Sequence, residues 1–437
     1  MFPSDRLISA CDRPDALIVG LDPDVRHQVP YPLVMTNDMS VSGSSTSLGY
    51  VPFDCDNHYY EALDAFTRHL DPKLGPRCVQ WAEIDGRKYQ VVGGRVSRVV
   101  TNPTFDPIAP AGAMHDYFRG NPERKSPLEF LTQREPIRPE YRDRTARLAT
   151  MDEQGVGRIW LFPTLGMLYE ELLKHDPYAV CQTFTAFNSW LDDDWGFDHA
   201  DRIFAGPYLS LADVDWAVAE LDRVLDRGAR VIVMRPAAVH TAHGIRSPFH
   251  ESFDPFWARV AESGITTVIH AGDSGYSSQG YADDSFSAQF SGGSWKPSIK
   301  SFAIERAAQD FVITSIFEKI FDRFPRLRMA SVENGSDFLA DAMKKMTSTA
   351  KKMPGYFSDD PVETFRAHWW INPFWEDDVH TVAELMGPDR VLFGSDWPHI
   401  EGMPNPLDYL PELKAFDDAD RRKILHDNVE YLNTRLP

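Results

Sequence analysis

The chain has 437 residues and carries 45 Lys and Arg against 65 Asp and Glu, a formal net charge of −20. That surplus argues against a nucleic-acid binder or a protein held on an anionic membrane, since both need a positive footprint. With 43% hydrophobic and 12% aromatic residues, the chain has ample core material and lies far from the disordered regime.

Length divided by ~150 suggests about three domains, yet a single α/β barrel with insertions can also exceed ~400 residues. Cys11, Cys55, Cys78 and Cys181 are scattered without CxxC pairs, which fits a reducing compartment. The first residues lack a basic segment followed by a long apolar one, and runs such as Ile159–Phe162 are too short to span a bilayer. A cytoplasmic protein is the expectation.

Residues 1–49 mix Pro, Asp, Ser and Gly without periodicity and read as an irregular leader, with Met35 and Met39 as alternative starts. Residues 50–437 read as one unit. Short β-branched segments alternate there with helical patterns, the signature of βα units. Strands are expected at 50–54, 158–162, 202–209, 230–235, 266–271, 328–334, 368–374 and 390–395, the number that a (β/α)8 TIM barrel needs.

The helices between them carry punctuation. Asp213 is a candidate N-cap for 213–227, which Gly228 ends; Asp254 caps a helix ended by Gly264. Further helices are expected at 314–324, 378–386 and 418–433. Two stretches interrupt the alternation. Residues 62–145 form a small β-rich insertion after strand one, with a hairpin of 78–84 and 87–92 about Asp85-Gly86. Residues 272–300, rich in Gly and Ser, read as a lid over the barrel mouth.

Catalytic groups of a parallel barrel sit at the C-terminal ends of its strands. Strand one leads into Asp54-Cys55-Asp56-Asn57-His58, strand five ends at His270, strand six at Glu333-Asn334 and strand eight at Asp396. Imidazole and carboxylate converging from several strands suit a divalent transition metal. Asp56 and His58, two apart on extended chain, point the same way. Singly, each signal has a plain alternative: a packed core histidine for His270, a turn cap for Asp396.

The pattern resembles the amidohydrolase superfamily, in particular the amidohydrolase-related family that includes aminocarboxymuconate semialdehyde and γ-resorcylate decarboxylases. Residues 54–58 resemble its first-strand His-x-His or Glu-x-His motif, and Val268-Ile269-His270-Ala271-Gly272 its fifth-strand motif. Phe324-Pro325 precedes strand six as in the family, Phe393-Gly394-Ser395-Asp396-Trp397-Pro398 matches the closing motif, and Asn428 falls at a familiar late position. The resemblance covers residues 50–435. It implies Asp56, His58, His270 and Asp396 as ligands of one divalent ion, Zn or Mn, with homodimers common among relatives.

Two departures stand out. Asp56 replaces the usual His or Glu, and Glu333 stands where related decarboxylases often have a His. Glu333 is a candidate proton shuttle, or else a structural ion-pair member. His270 and Asp396 are the other candidate catalytic groups. Arg235 is positioned either to grip a substrate carboxylate or to form a structural ion pair; His399 and Trp375 are candidate pocket residues.

Two reactions fit these ligands: non-oxidative decarboxylation of a small aromatic or unsaturated carboxylic acid, with Asp396 or Glu333 protonating carbon, and hydrolysis of a lactone, ester or amide by metal-activated water. Decarboxylation is favoured because the resemblance is closest to that family. A metal-free barrel serving as a binding protein is the third reading.

Overall fold

A computed structural model describes residues 48–276, 279 and 302–436. Almost all of the expected leader and most of the expected lid fall outside the described residues.

The chain enters at β1 (Phe53–Tyr59), whose seven residues are all buried. An antiparallel meander follows, β2 (Val79–Ile84), β3 (Arg87–Val92) and β4 (Arg95–Val96). Asp85 and Gly86 both have positive φ, 53° and 73°, and Ile84 pairs directly with Arg87. That is the left-handed pair a two-residue hairpin turn needs to match strand twist.

Parallel pairing then takes over with β5 (Arg158–Pro163), β6 (Ile203–Ala205) and β7 (Val231–Met234). A two-stranded hairpin, β8 (Val239–Thr241) and β9 (Gly244–Arg246), is followed by β10 (Thr266–His270), β11 (Met329–Val332) and β12 (Trp369–Ile371). One parallel sheet has the order β1-β5-β6 and another β12-β11-β10-β7. Bridges join them: Tyr208 pairs with Val233, Ile371 with Val391, and Asn57 with Trp397. The pairings therefore run around a closed ring of eight positions, with the 391–397 segment between β12 and β1. Nearly continuous burial along each strand is what a sheet covered on both faces requires.

Helices cross from strand to strand. Val214–Asp226 is capped by the Asp213 carboxylate, which accepts from Trp216 N, and Val379–Met386 by Asp378 in the same way from His380 N. In Asp254–Ser263 the cap position falls on Phe253, so Asp254 is the first helical residue. None of the helices among the described residues is long and apolar enough to cross a membrane.

Several expected boundaries are corrected. The first strand is not 50–54; it runs through the candidate ligands to Tyr59 because both of its edges find partners, β5 on one side and the 391–397 segment on the other. Cys55 N donates to Phe393 O and His58 N to Trp397 O. The eighth strand, expected at 390–395, is held by isolated bridges, and its backbone bonds are divided between neighbours: Leu392 N donates to Ile371 O and Phe393 N to Ile424 O. The expected helix 314–324 begins at Ala303 and breaks where Lys319 takes φ 55°, leaving the short helix Ile320–Arg323. The helix expected over 418–433 contains a π-helical stretch at Lys423–Asp427.

Gly264 ends the helix before β10 at φ +61°, and a Cβ there would lie 2.3 Å from Leu436 O. Gly264→Ala is expected to destabilise the protein by about 1–3 kcal/mol. A lower denaturant midpoint checks this; an unchanged midpoint would contradict it.

Candidate metal centre

Asp56 and His58 lie on β1, His270 ends β10, Glu333 follows β11, and Asp396 lies in the bridged eighth segment. The ring brings their side chains to one point. His58 Nε2 lies 3.1 Å from Asp56 Oδ1, 3.3 Å from Asp396 Oδ1 and 3.6 Å from Glu333 Oε2. His270 Nε2 lies 3.3 Å from Asp56 Oδ1 and 3.4 Å from Glu333 Oε2. Donors ~2.1 Å from one shared ion stand about 3.0–3.4 Å apart, so this spacing fits a coordination shell.

The hydrogen bonds argue the same way. His270 Nδ1 is 2.9 Å from Ala271 O, an acceptor only, so Nδ1 carries the proton and Nε2 presents its lone pair. That lone pair faces two carboxylate oxygens, an arrangement that calls for positive charge between them. Asp396 Oδ1 is buried without a hydrogen bond of its own. His399 Nδ1 comes within 2.7 Å of it but off the line of a hydrogen bond.

Electrostatics sharpen the demand. Burial pushes the His58 imidazole down to about 3, and the neighbouring His399 adds to the fall, so the ring is neutral. Burial would raise Asp56, but the ring nitrogens of His270 and His58 beside it outweigh that and hold the carboxyl below the usual range. Glu333 and Asp396 are both held well above it, by burial first and then by nearby carboxylates. Asp56, His58, His270 and Glu333 form one candidate metal group, and His58, Glu333, Asp396 and His399 an overlapping one. Glu333 is thus a candidate ligand as well as the proton shuttle expected from sequence. Glu333 and Asp396 both have φ 55°, a left-handed conformation whose strain marks residues held for a purpose.

Behind the donors lies a buried polar frame. Asp54 accepts from Asp56 N (3.1 Å), Asn57 Nδ2 (2.8 Å), Ser395 N (3.0 Å) and Ser395 Oγ (2.6 Å), tying β1 to the eighth segment. Arg147, from helix Arg144–Gln154, donates to Asn57 Oδ1 and His58 O, both at 2.6 Å. Burial pulls its guanidinium down to about 9. Sequence reasoning missed Arg147, because an Arg in a polar-looking helix carries no signal of burial. Asp54 stood beside the ligand motif but had no assigned role.

The donors open into a cavity of about 640 Å³. His399 lines it, stacked 3.8 Å from His58 and with Nε2 2.9 Å from Thr164 Oγ1. Trp375 lines it too, stacked 4.4 Å from His115. Glu305, Glu376, Arg134 and Asn372 also reach the cavity; burial pushes both glutamates up to about 7. None of these four was singled out from sequence.

Of the two readings of Arg235, the substrate grip and the structural ion pair, the structure shows the ion pair. Arg235 does not line the cavity; it faces the helix Gly166–Leu173, 2.9 Å from Glu171 Oε2 and 3.4 Å from Glu170 Oε2, and donates to Asp273 O. A buried guanidinium between two carboxylates is a structural ion pair and is already occupied.

The amidohydrolase family model matches residues 54–430. An amidohydrolase from Mycobacterium avium subsp. paratuberculosis K-10 is 43% identical, over 89% of this chain and 100% of its own, with a TM-score of 0.83. A dihydroxybenzoic acid decarboxylase from Polaromonas sp. JS666, with bound manganese and 2-nitroresorcinol, is 19% identical over 66% of this chain and 85% of its own (TM-score 0.52). A 5-carboxyvanillate decarboxylase from Novosphingobium aromaticivorans, complexed with manganese and a nitrobenzoic acid, is 15% identical over 92% and 99% (TM-score 0.54). At such identities the two decarboxylases share the fold alone. No functionally curated protein matches the chain. By the extent of the family match and the 43% identity across nearly its whole length, this chain belongs to the amidohydrolase family.

Proposed function

We propose that the protein is a divalent-metal-dependent enzyme that decarboxylates a small aromatic or unsaturated carboxylic acid without an oxidant. The observation that carries this reading is the convergence of two imidazole nitrogens and three carboxylate oxygens at the floor of a cavity that can admit such an acid. Asp56, His58, His270 and Glu333 would hold the ion, with Asp396 Oδ1 close by, 3.3 Å from His58 Nε2. Once bound, the ion supplies positive charge to a substrate carboxylate and a neighbouring oxygen. The mixed nitrogen and oxygen donor set suits Mn or Zn, and the manganese named for the Polaromonas relative supports Mn.

The protein's own groups do the rest. The Asp396 carboxyl delivers its proton from Oδ1 to the carbon that bears the substrate carboxylate. The electrons of the breaking C–C bond stay on that carbon, CO2 leaves, and Asp396 is left as the carboxylate. His399, with Nδ1 2.7 Å from Asp396 Oδ1 and Nε2 beside Thr164 Oγ1, would return a proton once its ring turns onto the hydrogen-bond line. Phe374 and Trp375 offer the substrate ring an apolar wall.

A second reading, hydrolysis of a neutral lactone or amide, is favoured by the acidic lining. Glu305, Glu376, Asp377 and Glu401 all border the cavity and would oppose an anionic substrate away from the ion.

Two measurements test the proposal. Elemental analysis of the wild type is expected to find about one divalent ion per chain, and His270→Ala is expected to lose most of it; equal metal in both would place the ion elsewhere. A panel of hydroxybenzoates and lactones is expected to yield CO2 from an aromatic acid, with Asp396→Asn slower in kcat by about 10²–10⁴-fold. Lactone hydrolysis with no CO2 from any acid would select the second reading.

A further inference from the structure

The cavity over the metal centre is larger than the proposed chemistry requires. It measures about 640 Å³, within the ~300–1,000 Å³ of pockets that bury drug-sized ligands, so a single-ring hydroxybenzoate leaves part of it unfilled. Much of the remaining wall is apolar and comes from one stretch of the insertion, between β4 and the helix that begins at Arg144. Val100, Phe105, Ile108, Phe118, Leu128 and Leu131 all face the cavity from there.

This wall is fastened to the catalytic loop. Gly112 N donates to His399 O at 2.9 Å and Met114 N to Ile400 O at 2.7 Å, so the insertion is stitched to the segment that follows Asp396. Ala109, Met114 and Leu131 form a small core of their own, with Phe118 and Ile400 packed against it. Phe105 and Ile108 are anchored in the main core and Leu131 in this smaller one, so the wall has a fixed shape, and a fixed apolar surface lining the cavity is a binding surface. At its rim Leu128 is 52% exposed, apolar area left for something to cover.

We propose that the substrate carries, beyond its reacting group, an extended apolar arm that lies along the insertion wall and is recognised by burial rather than by hydrogen bonds. The proposal rests on the reading above that the reaction takes place at the Asp56, His58, His270 and Glu333 centre. Each methylene of the arm removed from water contributes about a threefold to fourfold gain in affinity. The wall belongs to the insertion and not to the ring, so it selects the substrate without altering the geometry of the donors.

The test is calorimetric titration of the manganese-loaded full chain with 4-alkyl-2-hydroxybenzoates, from the unsubstituted acid to hexyl. Affinity is expected to rise about threefold to fourfold per methylene over at least the first few members. Leu128→Glu, a substitution at an exposed position, is expected to flatten the longer half of the series. Affinity independent of chain length in the wild type would overturn the proposal, and an unaltered slope in Leu128→Glu would overturn the assignment to this wall. Assaying the same compounds for CO2 separates the two readings. Chain-length-dependent binding without CO2 leaves the arm site standing and removes the decarboxylase reading, whereas CO2 release with flat affinity does the reverse. If no member binds, both fall.

Discussion

Three carboxylate groups and two neutral imidazoles gather 3.1–3.6 Å apart in a buried pocket, with more acceptor atoms than the two rings can supply with protons, an arrangement that calls for positive charge among them. That constraint organises the molecule. With Nδ1 of His270 committed to a backbone carbonyl, its other nitrogen has nothing to give to Asp56 or Glu333, and burial keeps His58 neutral. Glu333 and Asp396 are pushed toward protonation by burial first and then by the neighbouring carboxylates. A divalent cation among Asp56, His58, His270 and Glu333 would answer that demand, at separations that the protein already holds.

Holding them requires a frame that the donors cannot supply. Asp54 gathers four hydrogen bonds from β1 and the eighth segment, and Arg147 locks the same strand from the outside through Asn57 and the His58 carbonyl. Both are buried charged groups whose partners are nearly all polar atoms of the ligand-bearing segments. Asn428 closes the ring's last position by donating to Val391 O and Pro388 O. Such outer groups fix the orientation of ligands and so their affinity for an ion.

How much of this was legible in the sequence differed with the physics involved. The strands with continuous burial, β5, β7 and β10, stood out because a β-branched run between turn residues has few alternatives. Asp213 was readable as a cap because its role is local, decided within three residues. The eighth strand misled because its hydrophobic run pairs through single bridges, which depend on tertiary neighbours. Asp56, His58, His270 and Asp396 were marked by their places at strand ends and by the family resemblance. Glu333 was marked as a proton shuttle, since only the fold reveals that its Oε2 approaches two histidines. Arg235 sat at a strand end like the others, but its direction was set by Glu170 and Glu171 on a helix distant in sequence. Arg147, Thr164 and the apolar insertion wall left no local trace, because their meaning lies wholly in long-range contacts.

The central claim is that one ion sits among Asp56, His58, His270 and Glu333, and crystals grown with manganese test it most directly. An anomalous difference map at the manganese edge is expected to show a single peak about 2.0–2.3 Å from His58 Nε2, His270 Nε2, Asp56 Oδ1 and Glu333 Oε2. A map with no peak there, or with its peak bound by other residues, would contradict it.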